Sequence, residues 1–196
     1  SYGGRGGRSN LIPGQSGGPY GNYKYPTLQG SGGHTFNSAG GGGGGSLVLS
    51  VSKSISMNGL IDMSGFEGTY YSTSSNRYQW GGGGGSGGSV LINTPLFEGT
   101  GTIKANGGNG QLGCYYSRPD SCNSGAGSGG RLAIWSDVTT FSDSLQTKGG
   151  IGGVGYRGSA GTIYQHARKS NVIDRIIIDN TDTGRSHFVT PICNSK

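Results

Sequence analysis

The stretch GGGGGSGGSVLINTPLFEGTGTIKANGGNG, residues 81–110, sets two glycine clusters around a segment that reads as strand. Glycine loses more conformational freedom on folding than any other residue, so such clusters either stay disordered or pack where no side chain would fit. The chain holds 45 glycines among 196 residues, against an ordinary share of roughly 7%. It lacks the G-X-Y period and high proline of collagen, which excludes that class. The strand-like segments between the clusters favour packing over disorder. Helix formers are scarce, 12% of residues are charged, and Ser, Thr, Tyr, Ile and Val mark the non-glycine segments. The expected class is all-β with essentially no helix, in a single domain spanning 1–196.

Three 20-residue units align without gaps: SLVLSVSKSISMNGLIDMSG (46–65), SVLINTPLFEGTGTIKANGG (89–108) and RLAIWSDVTTFSDSLQTKGG (131–150). Their starts lie 43 and 42 residues apart. Each unit opens on an apolar triple (Leu47-Val48-Leu49, Val90-Leu91-Ile92, Leu132-Ala133-Ile134), holds Leu60, Ile103 or Leu145 at one shared position, and closes on glycine. A fourth, degenerate unit spans 162–180, where Ile176-Ile177-Ile178 replaces the usual ending. A glycine-rich segment, 1–45, reads as an N-terminal cap, and 181–196 as a C-terminal tail. Glycine-rich loops of 23, 22 and 11 residues (66–88, 109–130 and 151–161) join the units, and connections this long imply structure of their own.

A short strand, a turn, a second strand and a long return compose one coil of a parallel β-helix, with equivalent strands stacked about 4.8 Å apart. The repeat therefore predicts a short parallel β-helix, a solenoid of about four coils. Positions 47/90/132, 49/92/134 and 60/103/145 would form inward ladders. The glycine returns would pack side by side as extended or polyproline-II-like rods, with no Cβ to hold the backbones apart. Terminal coils of such a stack expose unpaired main-chain groups, so either caps cover them or the protein stacks into something longer.

Six segments carry a resemblance: YGGRGG (Tyr2 to Gly7), YKYPTLQGSGG (Tyr23 to Gly33), GGGGGGSLVLSV (40–51), GTIKANGGNG (101–110), GSGGRLAIWS (127–136) and GSAGTIYQ (158–165). Together they resemble a glycine-rich repeat module of large secreted and cell-surface proteins of bacteria and protists. The resemblance covers nearly the whole chain and implies a secreted scaffold or adhesive role, with no catalytic residues. The chain departs from that pattern at GLIDMSG (59–65) and in the cysteine loop within 109–130.

Chemical motifs are sparse. Gly153-Val-Gly155-Tyr-Arg-Gly158 matches a dinucleotide fingerprint, but strand-like SAGTIYQ follows where a helix is required. Gly84-Gly-Ser86-Gly-Gly88 matches a nucleophile elbow without the helix, histidine and acid that one needs. His34, His166 and His187 are isolated in sequence, and no His/Cys/Asp grouping has metal-ligand spacing, so no metal is expected. DNTDTG (Asp179 to Gly184) reads as a surface turn, because its carboxylate spacing is wrong for a calcium loop. Glu67 and Glu98 could be paired as glycosidase carboxylates only if the fold brought them together. The expectation is a non-enzyme with no cofactor.

The net charge of +6 comes from dispersed Arg and Lys, and Gly3-Gly-Arg5-Gly-Gly7 occurs once, whereas RNA-binding tails repeat it; no nucleic-acid partner is expected. No run approaches the roughly 18 apolar residues of a membrane span, so no membrane insertion is expected. SYGGRGGRSN lacks the apolar core of a signal peptide, so a secreted form would carry its signal upstream or have lost it. Cys114 and Cys122 bracket CYYSRPDSC, and a disulfide between them is expected, implying an oxidising compartment; Cys193 is left over.

The best functional signal is a recurrence in the loops: Tyr70, Tyr71, Arg77, Tyr78 and Trp80 in the first, Tyr115, Tyr116 and Arg118 in the second, Tyr156 and Arg157 in the third. A ladder of these rings and guanidiniums would suit sugar faces, acidic glycans or a neighbouring protomer. Equally, the rings can lie over the glycine layer and cover it. The expected role is an extracellular or cell-surface structural protein, a building block of a fibre, sheath or appendage that assembles with copies or related modules through its ends and glycine-rich faces. The alternative is a carbohydrate-binding adhesin using the Tyr/Arg ladder, with glycans as partners.

Overall fold

The computed structural model describes residues 3, 17–34, 38–72, 79–111, 124–142, 144–152, 157–169, 174–180 and 190, with main chain alone at 71, 72, 79 and 80. Among these residues there is no helix. The strands are β1 (Ser46–Ser50), β2 (Ser54–Ser56), β3 (Leu60–Asp62), β4 (Tyr70–Ser72), β5 (Gln79–Gly81), β6 (Ser89–Glu98), β7 (Thr102–Lys104), β8 (Arg131–Thr139), β9 (Leu145–Gln146), β10 (Thr162–Ala167) and β11 (Arg175–Ile177).

The larger sheet runs β1-β6-β8-β10-β11, with β2 also paired to β6. All its pairings are parallel except β10 with β11. A second, all-parallel sheet runs β3-β7-β9, and β4 and β5 form an antiparallel hairpin. The apolar triples stack in register, Leu47 on Val90 on Leu132 on Ile163 and Leu49 on Ile92 on Ile134. These side chains meet Ile61, Ile103 and Leu145 of the second sheet in one apolar core, with Phe97 stacked on Phe141 at 4.6 Å. Val90, Ile92, Leu132 and Ile134 are each at most 3% exposed, so the ladder is dry where a strand lies on both sides. Among the described residues neither sheet closes on itself.

The ladder expected at 60/103/145 is shifted by one residue in the first unit. Between the pairs Ser50↔Asn93 and Ser54↔Leu96, that unit places residues 51–53 opposite only 94 and 95 of β6. The extra residue acts as a bulge and sends the following strand to the other face. Ile61 therefore pairs with Ile103 and enters the core, while Leu60 is 60% exposed. The fourth unit also departs from the repeat: Arg175-Ile176-Ile177 turns back antiparallel on Ile163–Gln165 and covers that edge of the larger sheet. At Gly99 the chain leaves β6 with φ +117, where a Cβ would also meet the Met57 carbonyl oxygen at 2.1 Å.

The glycine segments form a hydrogen-bonded layer. Within buried residues 82–88, Gly84 and Gly87 donate to Gly125 and Ser128, Gly85 and Gly88 to Phe66 and Met63, and Gly83 and Ser86 to His34 and Ser31, all at 2.8–3.0 Å. Successive residues thus turn to different neighbours, and the same neighbour returns every third residue. Approach this close leaves no room for a side chain: a Cβ at Gly85 would lie 2.0 Å from the Gly42 carbonyl oxygen.

Candidate functional site

The richest side-chain cluster lies on the face of the larger sheet away from the core. Parallel register places Asn93, Trp135 and His166 side by side across β6, β8 and β10, and Leu91, Ala133 and Tyr164 in the row before. The N-terminal segment crosses this face. Asn22 Oδ1 accepts from the backbone N–H groups of Lys24 and Tyr25, at 2.8 and 3.2 Å, which fixes a tight turn at the crossing. Ala133 is fully buried and small, and Tyr23 packs with it edge-on to Tyr164 at 5.7 Å. The indole N–H of Trp135 donates to the Lys24 carbonyl at 2.8 Å, and the Tyr25 ring stacks on the indole at 4.9 Å and 13°. His166 packs against Trp135 with centroids 4.6 Å apart.

Buried Arg131 anchors the same segment, donating to the carbonyl oxygens of Gly3 and Tyr20, each at 3.3 Å. A buried guanidinium is tolerable when carbonyls accept hydrogen bonds from it in this way.

Asp174, just before β11, ties three elements together. Its carboxylate accepts the Tyr164 hydroxyl at 2.6 Å and lies 2.5 Å from His166 Nδ1 and 3.7 Å from Lys24 Nζ. The bonds from Tyr164 and His166, with the charges of His166 and Lys24, hold the Asp174 carboxyl below its usual range. Burial first, then the Asp174 carboxylate, push the Tyr164 hydroxyl well above the usual phenol range. Burial also raises the Tyr20 hydroxyl.

Beside the aromatic stack a cleft of about 300 Å³ is lined by Tyr25, Leu91, Asn93, Trp135 and Arg168. Arg168 donates to Asn93 Oδ1 and lies 3.6 Å from Asp137, which also pairs with Lys169 at 3.1 Å. Rings with an amide and a guanidinium can stack on a flat apolar face and bind hydroxyl or acidic oxygens. Among the described residues no group of three His, Cys, Asp or Glu side chains could hold a metal ion, and no helix is long and apolar enough to cross a membrane.

The expected loop ladder is only partly within view. Tyr70 is 50% exposed on β4, Tyr71 pairs with Trp80 across the β4–β5 hairpin through the main chain, and Arg157 is half-buried at the start of the last glycine segment. No ring or cation contact joins Tyr70 to Arg157. Arg77, Tyr78, Tyr115, Tyr116, Arg118 and Tyr156 lie outside the described residues, as do Cys114, Cys122, Cys193 and His187.

The remaining motifs have structural employment. Ser86 is 1% exposed, its hydroxyl oxygen accepting from Ser31 N–H at 2.7 Å, and strand β6 follows it. Gly158 leads into β10. Glu67 accepts from Asn109 at 2.8 Å and Gln111 at 3.4 Å, with no contact to Glu98. Asn180 accepts from Gly149 N–H at 2.9 Å.

Sequence reasoning did not single out Tyr25, Asn93, Trp135, Arg168 or Asp174, and it read His166 as isolated. The alignment itself contained the signal for part of the cluster, since Asn93 and Trp135 occupy one position of the second and third units, on the face opposite the apolar ladder. Compared with known proteins, the chain matches no family model, no curated protein and no solved structure.

Proposed function

We propose that this chain is a non-enzymatic extracellular structural module, a building block of a fibre, sheath or surface appendage. In this reading the stacked units are coils of a short parallel β-helix. The glycine returns are polyproline-II-like rods, whose three residues per turn match the observed three-residue return of hydrogen-bond partners. The resemblance to glycine-rich modules of secreted and cell-surface proteins supports the same role.

One observation carries the proposal: among the described residues one side of the stack is covered by β11, while no strand lies over β1 on the other. Leu47 and Leu49 are half-buried, whereas Val90, Ile92 and Leu132 on the next rungs are almost fully buried. In the glycine layer of that same side, Gly42 and Gly45 are exposed while Gly41 and Gly44 are buried. A repeat stack that stops without a cap leaves groups another chain can satisfy. Negative-stain electron microscopy of the protein from its native source is expected to show ordered assemblies; isolated particles of single-chain size in every field would overturn the reading.

A second reading, glycan adhesion, draws on the cleft of Tyr25, Asn93, Trp135 and Arg168. Tyr25 is 54% exposed, so its outer ring face is open for a sugar to stack on. Its test is retention on immobilised glycans, acidic ones included, expected to fall on Tyr25→Ala. Retention unchanged by that substitution would remove the cleft from consideration.

A further inference from the structure

The β1 side of the stack presents a specific row of main-chain groups. Ser89 N–H donates to Gly45 and Val51 N–H donates to Asn93, each at 2.9 Å. With the β1–β6 register, this parity directs the main-chain groups of Leu47 and Leu49 towards β6. Those of Ser46, Val48 and Ser50 therefore point to the open edge, where no described strand pairs with them. All three residues are exposed, Val48 at 51%. Natural edge strands are usually blunted by lysine, proline or a covering element. Among the described residues none of these interrupts β1.

Three features identify what would pair there. A further coil from the opposite end of another copy is blocked in the larger sheet, because β11 already occupies the edge of β10 over Ile163–Gln165. No described strand blocks the same edge of a second copy. The sequence Ser46-Leu47-Val48-Leu49-Ser50 reads identically in both directions, so an antiparallel copy presents the same side chains at matching positions. A row of alternating N–H donors and C=O acceptors is also complementary in partial charge to its own two-fold image.

We propose that β1 pairs antiparallel with β1 of a second copy about a two-fold axis at Val48, forming an isologous dimer. The proposal rests on the assembly reading above and narrows it to one contact. Val48 then exchanges both main-chain bonds with its mate, and Ser46 does so with Ser50. Leu47 comes opposite Leu49 on the core face, so the half-buried end of one apolar ladder continues into the other. Because a two-fold contact closes on itself, any longer assembly requires a second, separate contact.

The test uses the full chain. Native mass spectrometry across a dilution series, beside hydrogen exchange at Val48, is expected to show a dimer whose Val48 amide becomes protected as concentration rises. Val48→Lys sets like charges opposite one another on an exposed face. Val48→Pro removes a donor that points away from β6 and so spares the internal ladder. Each is expected to weaken dimerisation at least about tenfold without moving the circular dichroism spectrum. If either variant misfolds, the concentration dependence of Val48 exchange in the unsubstituted chain decides alone. Association that persists in both folded variants, with Val48 exchange independent of concentration, overturns the two-fold contact and leaves the assembly reading standing. A monomer at every concentration overturns both.

Discussion

Gly85 faces the carbonyl of Gly42 so closely that a methyl group on it would lie 2.0 Å from the oxygen. The reverse is not true of Gly42, whose own Cβ would meet nothing nearer than the Phe66 ring edge at 3.6 Å. Gly85→Ala is therefore expected to destabilise by about 2 kcal/mol or more, since backbone must shift to admit the methyl. Gly42→Ala is expected to be neutral or stabilising by about 0.5 kcal/mol through the unfolded state. Urea midpoints of the two variants check the contrast. Equal losses would mean that the glycines are not a packed layer.

Ile61 and its neighbour Leu60 test the register shift. Ile61→Ala removes a side chain packed against the core and is expected to cost about 2 kcal/mol, whereas Leu60→Ala, at a residue 60% exposed, should stay within about 0.5 kcal/mol. Denaturant titration of both variants reads the difference. The opposite ranking would restore the ungapped alignment.

That pair also marks how far the sequence could be read. The apolar triples were legible because alternation and a near-constant spacing repeat together, and their register follows the alignment residue for residue. The bulge at 51–53 left a trace in the spacing of unit starts, 43 residues against 42, but that difference does not say where the extra residue lies, and the ungapped alignment assigned it to the glycine-rich return instead of the unit. The aromatic cluster was harder still. Tyr25 reaches Trp135 across 110 residues of sequence, through a crossing that no local pattern encodes. Asp174 and His166 are close in sequence, yet they meet only because β11 turns back on β10.

Asp174 makes stability depend on pH in acid. Its carboxyl is held below the usual value, so the folded state binds the proton less well than the unfolded chain does. Its contribution is fully present above the ordinary Asp value of about 3.9 and is lost as pH falls through the lower folded value. Asp174→Asn is therefore expected to be less stable than the unsubstituted chain near neutrality, with the gap closing in strong acid. A gap independent of pH would show that the carboxylate charge is irrelevant. Thermal melts of both chains from neutrality downward provide the measurement.

Tyr164 acts at the other extreme. Its hydroxyl is raised by burial and by the Asp174 carboxylate, so its contribution is present below the ordinary phenol value of about 10 and lost as pH rises through the higher folded value. Ultraviolet titration is expected to show late tyrosine ionisations, the latest of which Tyr164→Phe removes. If the latest phase survives that substitution, it belongs to another tyrosine and the assignment to Tyr164 fails.

If the side of the stack ending at Leu47 and Leu49 meets another chain, as proposed, association must depend on concentration. Sedimentation velocity of the full chain over a wide loading series tests it most directly. A sedimentation coefficient that rises with concentration and falls back on dilution is expected. A single monomeric coefficient, unchanged across the series, would contradict it.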